Sequence, residues 1–427
     1  MLSIHNFKKN FFLVYGLGLT GKSVVNFFEK NKIKNYEVWD DKIKNIFSNK
    51  RSKNLNKTLQ KVNYIILSPG ISLNIKKNYK LKKFKRKFIT DLDLIFLLKK
   101  FSKSIVVTGT NGKSTTCKIL EHLLKHNKYK ALLGGNIGTP ILDLKIKNNN
   151  LLIIEASSFQ LAYSKFIKPD YAILLNITND HLDWHGNIKN YIDSKFKIFK
   201  GQTKSQFAIL NKKFKSHFKQ KKYLGKLIFP NLKNYLKIKS KIKNSYLKLD
   251  INDENMSHAL ELSKLLKINN KSFIQSFRTF KGLPHRYEIF LRKKNYTFIN
   301  DSKATSFEAT KSALKNSKNI YWIVGGLPKK NDKIILDNLK NNIVKIYIIG
   351  KRINFFKKQI KIEIDYQVTR NLKNSLTNIF KDIRISNRKE NIILLSPASA
   401  SFDQFNNFER RGEEFKKLSN YYARKYI

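Results

Sequence analysis

Ile105-Val106-Val107-Thr108-Gly109-Thr110-Asn111-Gly112-Lys113-Ser114-Thr115-Thr116 carries a β-branched apolar strand into a glycine loop, then into Lys-Ser and a helix. Residues in that order make a phosphate cradle. Glycines let successive backbone N–H groups converge on an anion, and the opening helix adds the positive end of its dipole. Lys113 offers a point charge and Ser114 a hydroxyl for Mg²⁺, so the chemistry is expected to depend on ATP, held by Gly109, Thr110, Asn111, Gly112, Lys113, Ser114 and Thr115. The spacing is tighter than the usual P-loop, whose first glycine would fall at Val107. A bare glycine turn ahead of a helix is the alternative.

Upstream, Phe11-Phe12-Leu13-Val14-Tyr15 leads into Gly16-Leu17-Gly18-Leu19-Thr20-Gly21 and a helical stretch from Lys22 to Lys30. A second strand, Tyr36-Glu37-Val38-Trp39, ends in Asp40 about twenty residues past the glycines, where dinucleotide-binding units place an acid against ribose hydroxyls. The third strand, Tyr64 to Leu67, ends at Ser68-Pro69-Gly70-Ile71, and the phosphate loop follows before a second half-fold could fit. One small α/β unit for a single nucleotide or diphosphate is the better reading; glycines serving only tight turns remain the alternative.

Downstream, Gly134-Gly135-Asn136-Ile137-Gly138 precedes the strand Leu151-Leu152-Ile153-Ile154 and Glu155-Ala156-Ser157-Ser158-Phe159-Gln160. A carboxylate at the end of an α/β strand lies at the ligand crevice, which makes Glu155 a candidate Mg²⁺ ligand. Another strand, Tyr171 to Asn176, leads to Thr178-Asn179-Asp180-His181-Leu182-Asp183. A single His lacks the spacing of a dedicated metal cage, and Lys195 is indistinguishable among so many lysines.

A chain of 427 residues with 41% apolar content suggests two to four domains. Its one cysteine, Cys117, excludes an internal disulfide. The N-terminal stretch lacks a signal-peptide core, and no run reaches the length of a membrane span, so a cytoplasmic protein is expected. The net charge of +56 raises the question of nucleic acid. Lys far outnumbers Arg and is spread from end to end, without a basic tail, which indicates compositional bias in solvated positions and no specific nucleic-acid partner.

Gly-Thr-Asn-Gly-Lys-Ser-Thr, Gly-Gly-Asn-Ile-Gly, Glu-Ala-Ser-Ser-Phe-Gln and Asn-Asp-His-Leu-Asp resemble the central ATPase domain of the Mur ligases, which add amino acids to the peptidoglycan precursor. Gly282-Leu283-Pro284-His285-Arg286-Tyr287-Glu288, Asn300 to Thr305, Gly325-Gly326 with Lys329, and Leu395 to Gly412 resemble the branch that uses D-glutamate. The resemblance implies an α/β protein of three domains: a Rossmann-like UDP-sugar domain over 1–91, a central P-loop ATPase with a mostly parallel sheet over 92–284, and a Rossmann-like amino-acid domain over 285–427. It also implies ATP-dependent ligation of D-glutamate to UDP-N-acetylmuramoyl-L-alanine through an acyl phosphate, by a monomer.

Residue by residue, the resemblance makes Lys113, His181 and Lys195 catalytic. Ser114, Glu155, His181 and Lys195 would serve Mg²⁺, Lys195 as a carbamate whose anionic oxygens suit a hard cation where an ammonium would repel it. Leu19, Thr20, Asp40, Gly70 and Asn136 match contacts to the UDP substrate. Asn255, Arg286 and Asp301 match ATP contacts, and Lys303, Thr305, Lys329, Ser401 and Phe408 match the D-glutamate pocket. His258 stands where the family has an asparagine toward adenine. An NAD oxidoreductase would have no use for Lys113. A ligase of another Mur or folylpolyglutamate type is the nearer rival, and the short glycine-rich domain together with Ser401 to Gly412 favours D-glutamate.

Overall fold

Short runs that are apolar at every position, such as Phe12-Leu13-Val14-Tyr15 and Leu151-Leu152-Ile153-Ile154, cannot lie on a half-exposed surface and instead form strands buried on both faces. The structure, a computed structural model, describes residues 7–43, 45–98, 100–329, 332–360, 364–386 and 388–427. Its strands form three sheets, as the sequence leads one to expect of an α/β chain. Two compact units hold them, the first comprising Met1–Asn244 and Asn252–Phe280, the second Ser245–Ile251 and Lys281–Ile427.

In the first unit, β1 (Phe12–Tyr15), β2 (Tyr36–Trp39), β3 (Tyr64–Leu67) and β4 (Phe88–Ile89) make a parallel sheet in the order β2-β1-β3-β4. Helix α1 (Leu19–Lys30) starts three residues ahead of the expected Lys22, because Gly18 in extended conformation already caps it. Leu19 and Thr20 therefore occupy its first turn. A second, all-parallel sheet follows from β5 (Lys103–Thr108), β6 (Ala131–Gly135), β7 (Leu151–Glu155), β8 (Tyr171–Leu174), β9 (Phe207–Leu210) and β10 (Lys226–Ile228), in the order β10-β9-β8-β5-β7-β6. One apolar core runs through both sheets, from Val14, Phe28 and Val38 to Val106, Leu152 and Phe196. Polar ties cross the same junction: Ser23 donates to Asp143 at 2.8 Å, and Thr90 and Ser164 share a hydroxyl contact of 2.7 Å.

The second unit is built on β11 (Glu288–Lys293), β12 (Tyr296–Asn300), β13 (Ile320–Gly325), β14 (Ile343–Ile349), β15 (Tyr366–Arg370) and β16 (Asn391–Leu395). Their order is β11-β12-β16-β13-β14-β15, with β11 antiparallel and the rest parallel. Alternation along β13 sends Trp322 and Val324 to one core, with Phe307 and Leu314, and Tyr321 and Ile323 to the other, with Leu376, Phe380 and Phe415. This is a doubly wound sheet with helices on both faces. Among the described residues no helix is long and apolar enough to cross a membrane.

Candidate active site

The phosphate loop joins β5 to α2 (Lys113–His126), and Gly112 is its decisive hinge. At φ +82 it caps the helix without a side chain, and a Cβ there would stand 2.3 Å from Asn255 Oδ1. That close approach explains why only glycine fits. Asn255 in turn accepts from the Thr116 hydroxyl at 3.1 Å, which places it against the first turn of α2. Ser114 and Thr115 are buried in the same turn.

Two lysines meet on this loop. Lys113 Nζ donates to the carbonyls of Gly109 (2.8 Å) and Thr110 (2.7 Å), and Lys195 Nζ donates to the same Gly109 carbonyl at 2.7 Å. Lys195 comes from the last turn of α3 (Ile188–Phe196) and is only 1% exposed. Burial, and then the neighbouring Lys113 charge, hold its amine well below the ordinary lysine range, while Asp180 and Glu155 pull the other way. Its Nζ also lies over the Tyr191 ring, 4.6 Å from the centroid. Tyr191 meets the Thr110 hydroxyl at 2.9 Å, so one helix fixes both the lysine and the loop.

Glu155 ends β7 beside this cluster. Its Oε1 accepts from the Asn136 side chain at 2.8 Å, and its backbone carbonyl accepts the Asn136 N–H at 2.9 Å. The other oxygen, Oε2, is buried without a hydrogen-bond partner among the described residues. Such an atom lacks compensation for lost water unless a cation faces it. His181 has a left-handed backbone, its Nε2 is 3.4 Å from Asp180 Oδ2, and its ring packs on Phe159 at 4.7 Å. No group of three or more His, Cys, Asp or Glu residues positioned to hold a metal occurs among the described residues.

At the N-terminal sheet, Gly21 lets α1 descend onto the first turn: a Cβ there would stand 1.8 Å from the Gly16 carbonyl. Asp40 accepts N–H groups from Leu17 (2.7 Å), Lys42 (2.8 Å) and Ile43 (2.9 Å). Burial pushes its carboxyl up, but the N–H groups of Leu17, Ile43 and Lys42 outweigh this and keep it below the ordinary range. Asp40 thus shapes the loop next to Leu19 and Thr20 through its carboxylate. Leu19 is 82% exposed and Gly70 is also exposed, available to a ligand.

Arg286, Asp301, Lys303, Thr305, Lys329, Ser401 and Phe408 all belong to the second unit. Lys303 Nζ lies over the Phe408 ring at 4.4 Å, Ser401 is buried, and Thr305 and Lys329 are half-buried. Asp301 uses its carboxylate internally, accepting from the Tyr287 N–H at 3.0 Å and the Ser396 hydroxyl at 2.7 Å. His258 packs inward on α4 (Asp253–Leu265), and its Nδ1 meets the Glu254 carbonyl at 2.8 Å.

Three residues given no role by sequence reasoning are prominent. Asn176 accepts the Asn111 N–H at 2.9 Å and donates to Glu254 at 2.6 Å, bracing the phosphate loop. Tyr191 joins Lys195 to the loop through the Thr110 hydroxyl. Arg411 is buried in the second unit. Asn176 and Arg411 fall inside motifs already quoted, so position was visible and partner was not.

A model of the Mur ligase middle domain matches residues 107–262. The chain is 33% identical over 495 aligned positions to the UDP-N-acetylmuramoylalanine–D-glutamate ligase of Wolbachia sp. subsp. Brugia malayi, covering 98% of this chain and 97% of the relative. It is 36% identical to the ligase of the same name from Buchnera aphidicola subsp. Schizaphis graminum, covering 95% and 97%. Among solved structures it resembles the MurF ligase of Thermotoga maritima in complex with ADP, with a TM-score of 0.56 at 18% identity over 86% of this chain and 91% of that one. At that identity the likeness concerns the fold.

Proposed function

This chain belongs to the Mur ligase family, and on that premise we propose that it uses ATP to join D-glutamate to UDP-N-acetylmuramoyl-L-alanine, acting as a cytoplasmic monomer in peptidoglycan precursor synthesis. The observation that carries the reading is the convergence of Lys113 and Lys195 on the Gly109 carbonyl beside the unpartnered Glu155 oxygen. Lys113 on this loop suits a site that receives phosphate charge, and the depressed amine of Lys195 beside it suits conversion to a carbamate. In this reading residues 1–91 bind the nucleotide sugar, 92–284 the ATP, and 285–427 the incoming amino acid.

A carboxylate resists attack by an amine, so its oxygen must first become a leaving group. The alanyl carboxylate of the substrate would attack the γ-phosphorus of ATP, releasing ADP and leaving an acyl phosphate. The D-glutamate amine would then add to the acyl carbon, and the tetrahedral adduct would lose a proton and expel inorganic phosphate. Lys113, helped by the amides of Gly109 to Thr115, neutralises the oxygens on which charge gathers. Leu19, Thr20, Asp40, Gly70 and Asn136 would place the UDP substrate; Asn255, Arg286 and Asp301 would serve the ATP side; Lys303, Thr305, Lys329, Ser401 and Phe408 would receive D-glutamate.

The buried Glu155 Oε2 supports a place for Mg²⁺, which Ser114, Glu155, His181 and a carbamate on Lys195 would hold and which when bound would supply charge neutralisation at the phosphates. Carbamate formation needs a neutral amine, and burial, with the Lys113 charge beside it, shifts Lys195 in that direction.

The test is ATP turnover by the purified protein with UDP-N-acetylmuramoyl-L-alanine, comparing D-glutamate with L-glutamate, L-alanine and L-lysine. D-glutamate alone should sustain phosphate release, and Lys113→Ala should abolish it. Equal turnover with another amino acid would refute the acceptor, and near-normal release by Lys113→Ala would refute the role of the loop.

A further inference from the structure

The loops proposed to hold D-glutamate share one tether. Arg411, one turn after Phe408 on α5 (Phe408–Tyr426), is 1% exposed. Its Nη2 donates to the Ser302 carbonyl at 2.7 Å and the Ser399 carbonyl at 3.0 Å, and its Nε donates to the Ser302 hydroxyl at 3.0 Å. That hydroxyl passes its own proton to the Phe408 carbonyl at 2.8 Å. Ser302 precedes Lys303 and Thr305, and Ser399 precedes Ser401. The third loop is joined as well: Leu327 and Ala400 exchange backbone hydrogen bonds of 2.9 Å. Gly326 passes so close that a Cβ would stand 2.4 Å from the Ala400 carbonyl and 3.4 Å from Arg411 Nη1. Lys329 follows on that loop.

A buried guanidinium this committed to backbone carbonyls does more than fill space. The carboxylates of Asp403 and Asp301 support its charge against burial. A planar fork of donors can span two carbonyls and a hydroxyl together, where a lysine ammonium, a single point of charge, cannot. We infer that Arg411 is a positioning residue for the amino-acid acceptor, setting the mutual placement of Lys303, Ser401, Lys329 and Phe408 and hence the fit to D-glutamate. This rests on the D-glutamate reading above.

The experiment measures KM separately for D-glutamate, ATP and UDP-N-acetylmuramoyl-L-alanine in Arg411→Lys and Ser302→Ala, with Arg410→Lys, an exposed neighbour on the same helix, as control. Arg411→Lys should raise the D-glutamate KM about tenfold or more, the scale of a lost charge-assisted hydrogen bond, while the other two constants stay within about twofold. Ser302→Ala, which removes only the hydroxyl relay, should raise the same constant about threefold. Should Arg411→Lys not fold, Ser302→Ala decides. An unchanged D-glutamate KM, or a parallel rise in all three constants, overturns the inference. A wild-type protein indifferent to D-glutamate would instead overturn the function on which it rests.

Discussion

Replacing Asp301 by Asn should make the second unit more stable at alkaline pH than at acid pH relative to wild type. Asp301 follows β12 and is 6% exposed. Burial pushes its carboxyl from 3.8 up to about 7, against the opposing pull of the Ser396 hydroxyl, the Tyr287 N–H, Arg286 and Arg411. With the folded value above the unfolded one, the native state holds a proton that the unfolded chain has released. Stability from this group is therefore complete below the unfolded value and is lost as pH climbs through about 7. A rise of about three units corresponds to roughly 4 kcal/mol, of which about 2 to 3 falls between pH 5 and 8. Asn avoids that loss. Its oxygen can keep the Tyr287 N–H, and its amide can donate to Ser396 Oγ, which can turn its own proton to Thr310 Oγ1 at 3.0 Å. Trp322 is the only one of the three tryptophans in this unit and donates to the Ser396 carbonyl at 2.7 Å, so its fluorescence reports the right place once Trp39 and Trp184 are changed to Phe. Urea melts at pH 5 and pH 8 should show the stability of Asp301→Asn minus that of its parent growing by about 2 kcal/mol at the higher pH. A constant difference, or one that shrinks as pH rises, would refute the protonated-carboxyl account.

Two further outcomes follow from the first unit. Lys195→Ala should lose most ligase activity while still binding ATP by equilibrium titration, and short-chain carboxylates should restore part of the rate by entering the space left by the side chain; full activity without them would remove the carbamate role. Gly21→Ala drives a Cβ to 1.8 Å from the Gly16 carbonyl, so it should destabilise this unit by about 1–3 kcal/mol in thermal melts and raise the KM for the UDP substrate, and an unaltered melting curve and KM would show that the turn yields freely.

Local signals carried some of this architecture in the sequence and could not carry the rest. The phosphate loop was legible because it needs two unusual things close together: glycine where φ is positive or the backbone crowds, and Lys-Ser where a helix opens. Strands β1 and β7 were legible because uninterrupted apolar runs have nowhere to go but a doubly covered sheet. Lys195 was silent among 86 basic residues, since nothing in its neighbours along the chain says it lies 2.7 Å from Gly109 across 86 positions. Asp40 shows a subtler case. Its distance from the glycines points to a ribose contact, and its carboxylate also accepts the N–H groups of Leu17, Lys42 and Ile43, a loop-shaping use that spacing alone does not announce. Arg411 marks the limit. An arginine inside a charged helical run looks solvated, and only closure of three loops around it turns it into a buried tether. Long-range polar partnership of this kind has no period and no neighbour signature, so the residues that hold a site in shape are the ones a sequence hides best.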